Sequence, residues 1–216
     1  MKNLFSMQDK VVVVTGGSGY LGNAMVSGLM AQGAKVVVAD LVDRHASRED
    51  DQYGERFFVA CNLAETESIR QLFQKAAERF GHIDVLVNCH GAAVKVDDVE
   101  NMDDHALETA IDVNLVSAIK GCREVIPVMK ANHAGHIVNV SSACAYHAWP
   151  KWGVYSSAKA GLVVFTRSLH LEMVEWGGKA TSFIPGAAKT GFSAAAQLDD
   201  GWMEGYPDAD DFARTL

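Results

Sequence analysis

Short runs of β-branched residues, apolar on both faces, alternate with longer stretches of helical periodicity along most of the chain. Residues 10–15, 34–40, 57–60, 84–88, 136–142 and 180–184 read as strands, the first two dominated by valine. Residues 20–32 set Leu21, Ala24, Met25, Leu29 and Met30 on one helical stripe, closed by Gly33. Residues 65–80 do the same with Ile69, Leu72, Phe73, Ala76 and Ala77 and stop at Gly81; residues 103–129 and 154–175 are two longer helices. Strands without a polar face, each followed by a helix, predict a parallel sheet covered on both sides. Right-handed crossovers make it an α/β doubly wound parallel sheet, a Rossmann fold, in a single domain over residues 1–216. The pattern is lost after Gly191: residues 199–211 read as loop, and 194–196 and 212–216 as short helices.

Composition removes several functions. The chain has 216 residues, 49% hydrophobic and 21% charged, which suits a globular protein that buries roughly 70% of its unfolded surface. Nineteen basic against 27 acidic residues leave a net charge of −8, and no stretch is rich in Lys or Arg. Nucleic acid and anionic membrane are therefore not expected partners. Aliphatic runs such as residues 11–14 are too short to span a bilayer, and the first strand follows ten mixed residues, with no signal peptide expected. Cys61, Cys89, Cys122 and Cys144 stand singly, without metal-ligand spacing. They read as reduced, buried cysteines of a cytoplasmic protein with no metal site.

The first strand and first helix are joined by Thr15-Gly16-Gly17-Ser18-Gly19-Tyr20-Leu21-Gly22. Glycines let a backbone approach a ligand closely, and the helix N-terminus beyond them offers N–H groups and partial positive charge to a pyrophosphate. Asp40 ends the second strand eighteen residues after Gly22, where a carboxylate accepts hydrogen bonds from the adenosine ribose of NAD and repels the 2′-phosphate of NADP. Arg44 and His45, just downstream, keep NADP as the second choice.

Tyr155 and Lys159 lie four apart in a helix and share one face; Ser142 ends the fifth strand, at the ligand-binding edge of such a sheet. An ammonium ~4 Å from the phenol in an effective dielectric of ~20 favours the phenolate by ~4 kcal/mol. That predicts a Tyr155 pKa lowered toward neutrality, so that the phenol exchanges a proton with an alcohol or carbonyl while hydride passes to or from a nicotinamide. Ser142 hydrogen-bonds the same substrate oxygen, and the Lys159 ammonium also reaches the nicotinamide ribose.

From about residue 10 to residue 190 these motifs resemble the classical short-chain dehydrogenase/reductase family. The matches are the glycine loop, Asn88-Cys89-His90-Gly91, Asn114 in Asp112-Val113-Asn114-Leu115, Ser142, Tyr155 with Lys159, and Pro185-Gly186-Ala187-Ala188-Lys189-Thr190. The resemblance implies an NAD-dependent oxidoreductase of secondary alcohols and ketones, a homodimer or homotetramer. It implies that Asn114 bends its helix and holds a proton-relay water for Lys159. It further implies Ala188 and Thr190 at the nicotinamide carboxamide, Asn62 and Leu63 beside the adenine, and Asn88 steadying the central strand beside the ribose. Members labelled gluconate 5-dehydrogenase-like and 3-oxoacyl-carrier-protein reductase-like are the nearest in character.

Four features depart from that family's pattern. Tyr20 stands where classical members place glycine, an arrangement typical of the extended branch. Asn62 replaces an aspartate, and Cys89-His90 replaces Asn-Ala. The family's last helix and seventh strand have no counterpart, which leads to an expectation of a shortened chain or of an edge covered by another subunit. Two alternative readings follow: an extended-type nucleotide-sugar epimerase or dehydratase, and a non-catalytic NAD-binding protein. The loop with Tyr146, His147, Trp149, Lys151 and Trp152 either borders the substrate or packs on itself or a subunit interface. Its Trp faces suit a sugar ring or an apolar body, and Lys151 or His147 suits a carboxylate. His90 and Lys95 are also in reach, and NAD preference with the polar loop favours a sugar acid or polyol.

Overall fold

The computed structural model describes residues 6–45, 55–186 and 192. Six strands form one sheet in the order β3-β2-β1-β4-β5-β6, and every pairing is parallel. They are β1 (Val11–Thr15), β2 (Lys35–Asp40), β3 (Arg56–Ala60), β4 (Val85–Asn88), β5 (Gly135–Val140) and β6 (Gly178–Phe183). The order reverses between β1 and β4, and a crevice opens beyond the carboxyl ends of strands at such a switch point.

Among the described residues five α-helices cover the sheet: α1 (Tyr20–Ala31), α2 (Thr66–Phe80), α3 (Asp104–Ile111), α4 (Ser117–Ala131) and α5 (Gly153–Val174). On one face Val13, Val37, Leu86 and Ile137 pack with residues of α2, α4 and α5; on the other Val12, Val14, Val36 and Val38 pack with Met25, Val26 and Met30 of α1. The alternation of Val12 and Val13 between the two cores explains why the strand carries no polar position. Val11 to Val14 are wholly buried, at roughly 1.5–3 kcal/mol of hydrophobic stabilisation each.

Element boundaries follow the expectations with three exceptions, one being that β5 stops at Val140, two residues short of Ser142, which was expected to end it. The helix expected over residues 103–129 is three segments. α3 starts from a cap in which the Asp103 carboxylate accepts the Ala106 N–H at 2.8 Å, and it passes into a π-turn (Asp112–Val116) before α4. One residue too many per turn breaks the backbone hydrogen-bond register while leaving the apolar stripe nearly intact, so periodicity does not reveal it. β6 begins at Gly178 rather than residue 180, because Gly178 and Lys179 pair with Gly135 and His136 despite low strand propensity. The expectations about a last helix, a seventh strand and residues 194–216 fall outside the described residues.

Polar side chains at the carboxyl ends of the central strands are buried and joined across the sheet. Thr15 Oγ1 donates to Asn88 Oδ1 at 3.4 Å, the Asn88 amide donates to Asn139 Oδ1 at 2.8 Å, and the Asn139 amide to Thr166 Oγ1 at 2.9 Å. Thr166 in turn donates to the Leu162 carbonyl of its own helix at 2.6 Å. Replacing Asn139 with Ala removes the partner of both Asn88 and Thr166 in a site without water access. The unfolding free energy should fall by about 2–4 kcal/mol, read by urea denaturation; a change below about 1 kcal/mol would show that the ladder does not stabilise the sheet.

Candidate active site

A cleft of about 1380 Å³ opens at the switch point, and the glycine loop forms one wall. Gly16 has φ +67°, and a Cβ on Gly22 would stand 2.1 Å from the Gly16 carbonyl oxygen, so the turn and the start of α1 fit together only without that side chain. α1 has no side-chain cap, and its first hydrogen bond runs from the Asn23 N–H to the Gly19 carbonyl at 2.8 Å. The N–H groups of Tyr20, Leu21 and Gly22 are thus left as donors on residues that line the cleft. This cradle fits a pyrophosphate. Tyr20 is 65% exposed, so its ring lies outside the turn, and glycine is not required at that position.

Asp40 lines the same wall, with Oδ2 accepting the Ser18 N–H at 3.1 Å and Oδ1 the Leu41 N–H at 2.8 Å. Gly16, Gly19, Asn62, Leu63 and Gly91 line it too. Asn62 is fixed by the Ala64 N–H, which it accepts at 3.1 Å, and by its amide, which donates to Glu65 at 2.8 Å.

Two expected cofactor residues are not in the wall. Ser18 is 2% exposed, its N–H is spent on Asp40 and its buried hydroxyl has no partner. Asn88 is 1% exposed and belongs to the cross-sheet ladder. Both are buried behind the surface, Asn88 as the last residue of β4 and Ser18 in the turn after β1. Ala188 and Thr190 lie outside the described residues, while Pro185 and Gly186 line the cleft.

The opposite wall brings Ser142, Tyr155 and Lys159 together. Ser142 follows β5 and caps a 3-10 turn (Ala143–Ala145), its hydroxyl accepting the Cys144 N–H at 3.2 Å. Lys159 is 4% exposed; its ammonium donates to the Val140 carbonyl at 3.1 Å and lies 5.9 Å from the centroid of the Tyr155 ring. Asn114 sits in the π-turn and is buried away from the cleft. Its amide donates to the Ala92 and Ala110 carbonyls at 2.8 and 2.9 Å, and its Oδ1 accepts the Ala92 N–H at 3.1 Å. A Cβ on Gly91 would meet Asn114 Oδ1 at 2.8 Å and Lys159 Nζ at 3.1 Å, so Asn114, Gly91 and Lys159 pack as one unit.

Burial overturns the expected Tyr155 titration. It pushes the phenol up to about 12 against an opposing hydrogen bond with Ser142, and it brings Lys159 down to about 8. The expectation weighed the charge of Lys159 without the desolvation that both groups undergo, and desolvation is the larger effect.

His90, noted in the sequence as a departure and as a residue in reach of the cleft, does line the cleft, but its bridging contacts were not foreseen. Its ring bridges Thr15 Oγ1 and Ser117 Oγ, both at 2.7 Å. It thereby ties the start of the glycine loop to the π-turn segment. Burial, reinforced by the nearby Lys159, drives its pKa down to about 3, so the ring is neutral. Two other expectations are corrected: Lys151 faces Asp98 at 3.8 Å outside the cleft, and Lys95 pairs with Asp97, Asp103 and the Asn101 carbonyl. Among the described residues no helix is long and apolar enough to cross a membrane.

Comparison with known proteins gives one consistent result. The family model described as short chain dehydrogenase matches residues 10–201. An uncharacterized oxidoreductase of Staphylococcus saprophyticus is 33% identical over 202 residues, covering 88% of this chain and 83% of the relative. The 3beta-hydroxysteroid dehydrogenase 1 of Eggerthella lenta is 32% identical over 200 residues, covering 89% and 76% respectively. Among solved structures, that of gox2181 superposes with a TM-score of 0.87 at 26% identity, covering 97% of this chain and 88% of the other.

The neutral His90 makes stability depend on pH in a defined direction. Its pKa is lower folded than unfolded, so below pH 6.5 the unfolded chain takes up a proton that the native one does not. This contribution is fully present above about pH 6.5 and is lost as pH falls toward 3. Between pH 6.5 and 4 the native chain should lose about 3 kcal/mol more unfolding free energy than a His90→Gln variant. Urea unfolding at a series of pH values measures it, and parallel losses in the two proteins would contradict a buried neutral imidazole.

Proposed function

The chain belongs to the short-chain dehydrogenase family, and within it we propose that Tyr155 is the proton donor and acceptor of an NAD-dependent alcohol/ketone oxidoreductase. Dehydrogenation at a CH–OH group with a nicotinamide cofactor is the activity of this family. The observation that carries the reading is the convergence of Ser142, Tyr155 and Lys159 on a cleft whose facing wall is a pyrophosphate cradle. A bound nicotinamide supplies or takes up the hydride. The chain's own residues handle the proton. A phenol held near 12 is protonated at neutral pH and can donate to a carbonyl oxygen that Ser142 also hydrogen-bonds. Lys159, a turn away and brought to about 8, keeps a substantial charged fraction at neutral pH and steadies the phenolate left behind. Asn114 holds Ala92 beside Gly91 and so keeps Lys159 in place.

Asp40 supports NAD over NADP, since its carboxylate is fixed at the cleft wall. Arg44 lines the same wall and would meet a 2′-phosphate once that carboxylate is gone. The reading extends to a single domain over residues 1–216, assembled as a homodimer or homotetramer, acting on small molecules. It places the protein in the cytoplasm on the support of four free cysteines.

Tyr155→Phe should lower kcat by about 10²–10⁴, the usual worth of a positioned proton donor, with the NAD dissociation constant changed only a few-fold by calorimetry. A variant that keeps more than a tenth of the native kcat would remove Tyr155 from the mechanism. Asp40→Ser combined with Leu41→Arg should raise the ratio of NADP to NAD use at least about tenfold, since it removes charge-assisted bonds and a repulsion. A native protein that already prefers NADP would defeat the assignment of Asp40.

A further inference from the structure

The substrate end of the cleft is built from aromatic rings. Trp152 stands at the N-terminus of α5, three residues before Tyr155, and the two rings meet edge to face with centroids 5.5 Å apart. Phe192 lies parallel to Trp152 at 6.2 Å, with 13° between the planes, and approaches Tyr155 at 5.4 Å. Trp149 lines the same cleft and meets His147 edge to face at 5.8 Å. These rings therefore surround the phenol that is proposed to donate the proton.

Charge is distributed in the opposite sense. The charged side chains of the described wall are Asp40, Arg44, Asp112, Lys120 and Lys159, and none comes from the 142–155 segment or from residues 185, 186 and 192. Lys120 donates to the Ala64 carbonyl at 2.8 Å, which puts it with Asn62 and Leu63 on the cofactor side. Lys151, the cation of the substrate loop, pairs with Asp98 instead of facing the cleft. Tyr146, the loop's other phenol, is 55% exposed and accepts from Arg167 at 3.3 Å outside the cleft wall. A sugar acid needs a cation for its carboxylate and several donors and acceptors for its hydroxyls. An apolar ring needs flat apolar surface around one polar anchor, and this end offers that surface around Ser142 and Tyr155.

We infer that the substrate is an uncharged ketone or secondary alcohol carried on an apolar ring, alicyclic or aryl, and that Trp152 is the residue that selects it. The inference rests on Ser142 and Tyr155 being the carbonyl-binding pair. The carbonyl oxygen sits at these two hydroxyls, and the ring lies against the aromatic surface that Trp152 and Phe192 present to the cleft. Trp152 has a second effect: its contact with Tyr155 restrains the phenol, so removing the indole loosens both the substrate and the donor. Loss of ring contact appears in KM, and loss of donor alignment in kcat.

The test measures kcat and KM for the native protein with NADH and acetophenone or a methyl-substituted cyclohexanone, and in the reverse direction with NAD and a polyol and an aldonate. The ring ketone should exceed the polyol and aldonate by at least about tenfold in kcat/KM, the discrimination typical of an apolar pocket. Trp152→Ala should lower kcat/KM for the ring ketone at least about tenfold, mostly through KM, without changing NAD affinity, and Trp152→Phe should restore most of it. Better turnover of the polyol or aldonate, or a Trp152→Ala variant within about twofold of native on the ring ketone, would overturn the inference. If Tyr155→Phe still abolishes the polyol reaction, the proton-donor reading survives and only the substrate class fails. Activity that is indifferent to Tyr155→Phe removes the underlying reading as well. Calorimetric titration of the cofactor-loaded protein with the ring ketone covers an inactive preparation, because no binding up to its solubility limit also overturns the inference.

Discussion

Where β1, β4 and β5 end, their last polar side chains are inside the protein, and a buried amide or hydroxyl without a partner costs more than an ordinary hydrogen bond returns. Thr15, Asn88, Asn139 and Thr166 meet that demand with one another, from the first residue of the glycine loop to the middle of α5. The ladder therefore fixes the distance between the loop that receives a dinucleotide and the helix that carries Tyr155 and Lys159. Two further bonds complete the attachment: Ser141 donates to the Lys159 carbonyl at 2.9 Å, and Lys159 itself to Val140. The two halves of the cleft are held by the same buried polar layer, which is why Asn88 matters without touching the cavity.

Desolvation sets the chemistry of this layer. It keeps Tyr155 and Cys89 protonated, His90 neutral and Lys159 close to its titration point. In such a setting the charge that a bound ligand brings has more influence than the same charge would have in water. The proton stays on Tyr155 at neutral pH.

The strands and the order of elements were legible in the sequence because valine on both faces has a single structural explanation, and Tyr155, Lys159 and Ser142 because spacing and sheet end bring them together. The π-turn at Asp112–Val116 was not, since it differs from α-helix in hydrogen-bond register and not in residue pattern; only the resemblance carried by Asn114 pointed to a bend there. The paths of Lys151 and Tyr146 were illegible for another reason. Lys151 adopts φ +71°, a left-handed backbone that polarity does not reveal, and it carries the ammonium away from the cleft to Asp98. His90 was legible as a residue in reach of the cleft but not as a bridge, because its partners Thr15 and Ser117 are 75 and 27 residues distant.

The sheet order also has a consequence for biosynthesis. β1 pairs with β2 within one crossover, but its other edge waits for β4, from Val12 with Val85 to Thr15 with Asn88. While the ribosome makes the intervening residues, four consecutive valines present an unpaired strand edge of high β-propensity, the kind of segment that recruits another copy. The nascent chain is thus most exposed to aggregation before residue 88 emerges, and chaperone demand falls once β4 docks and closes the edge on which the cleft is built.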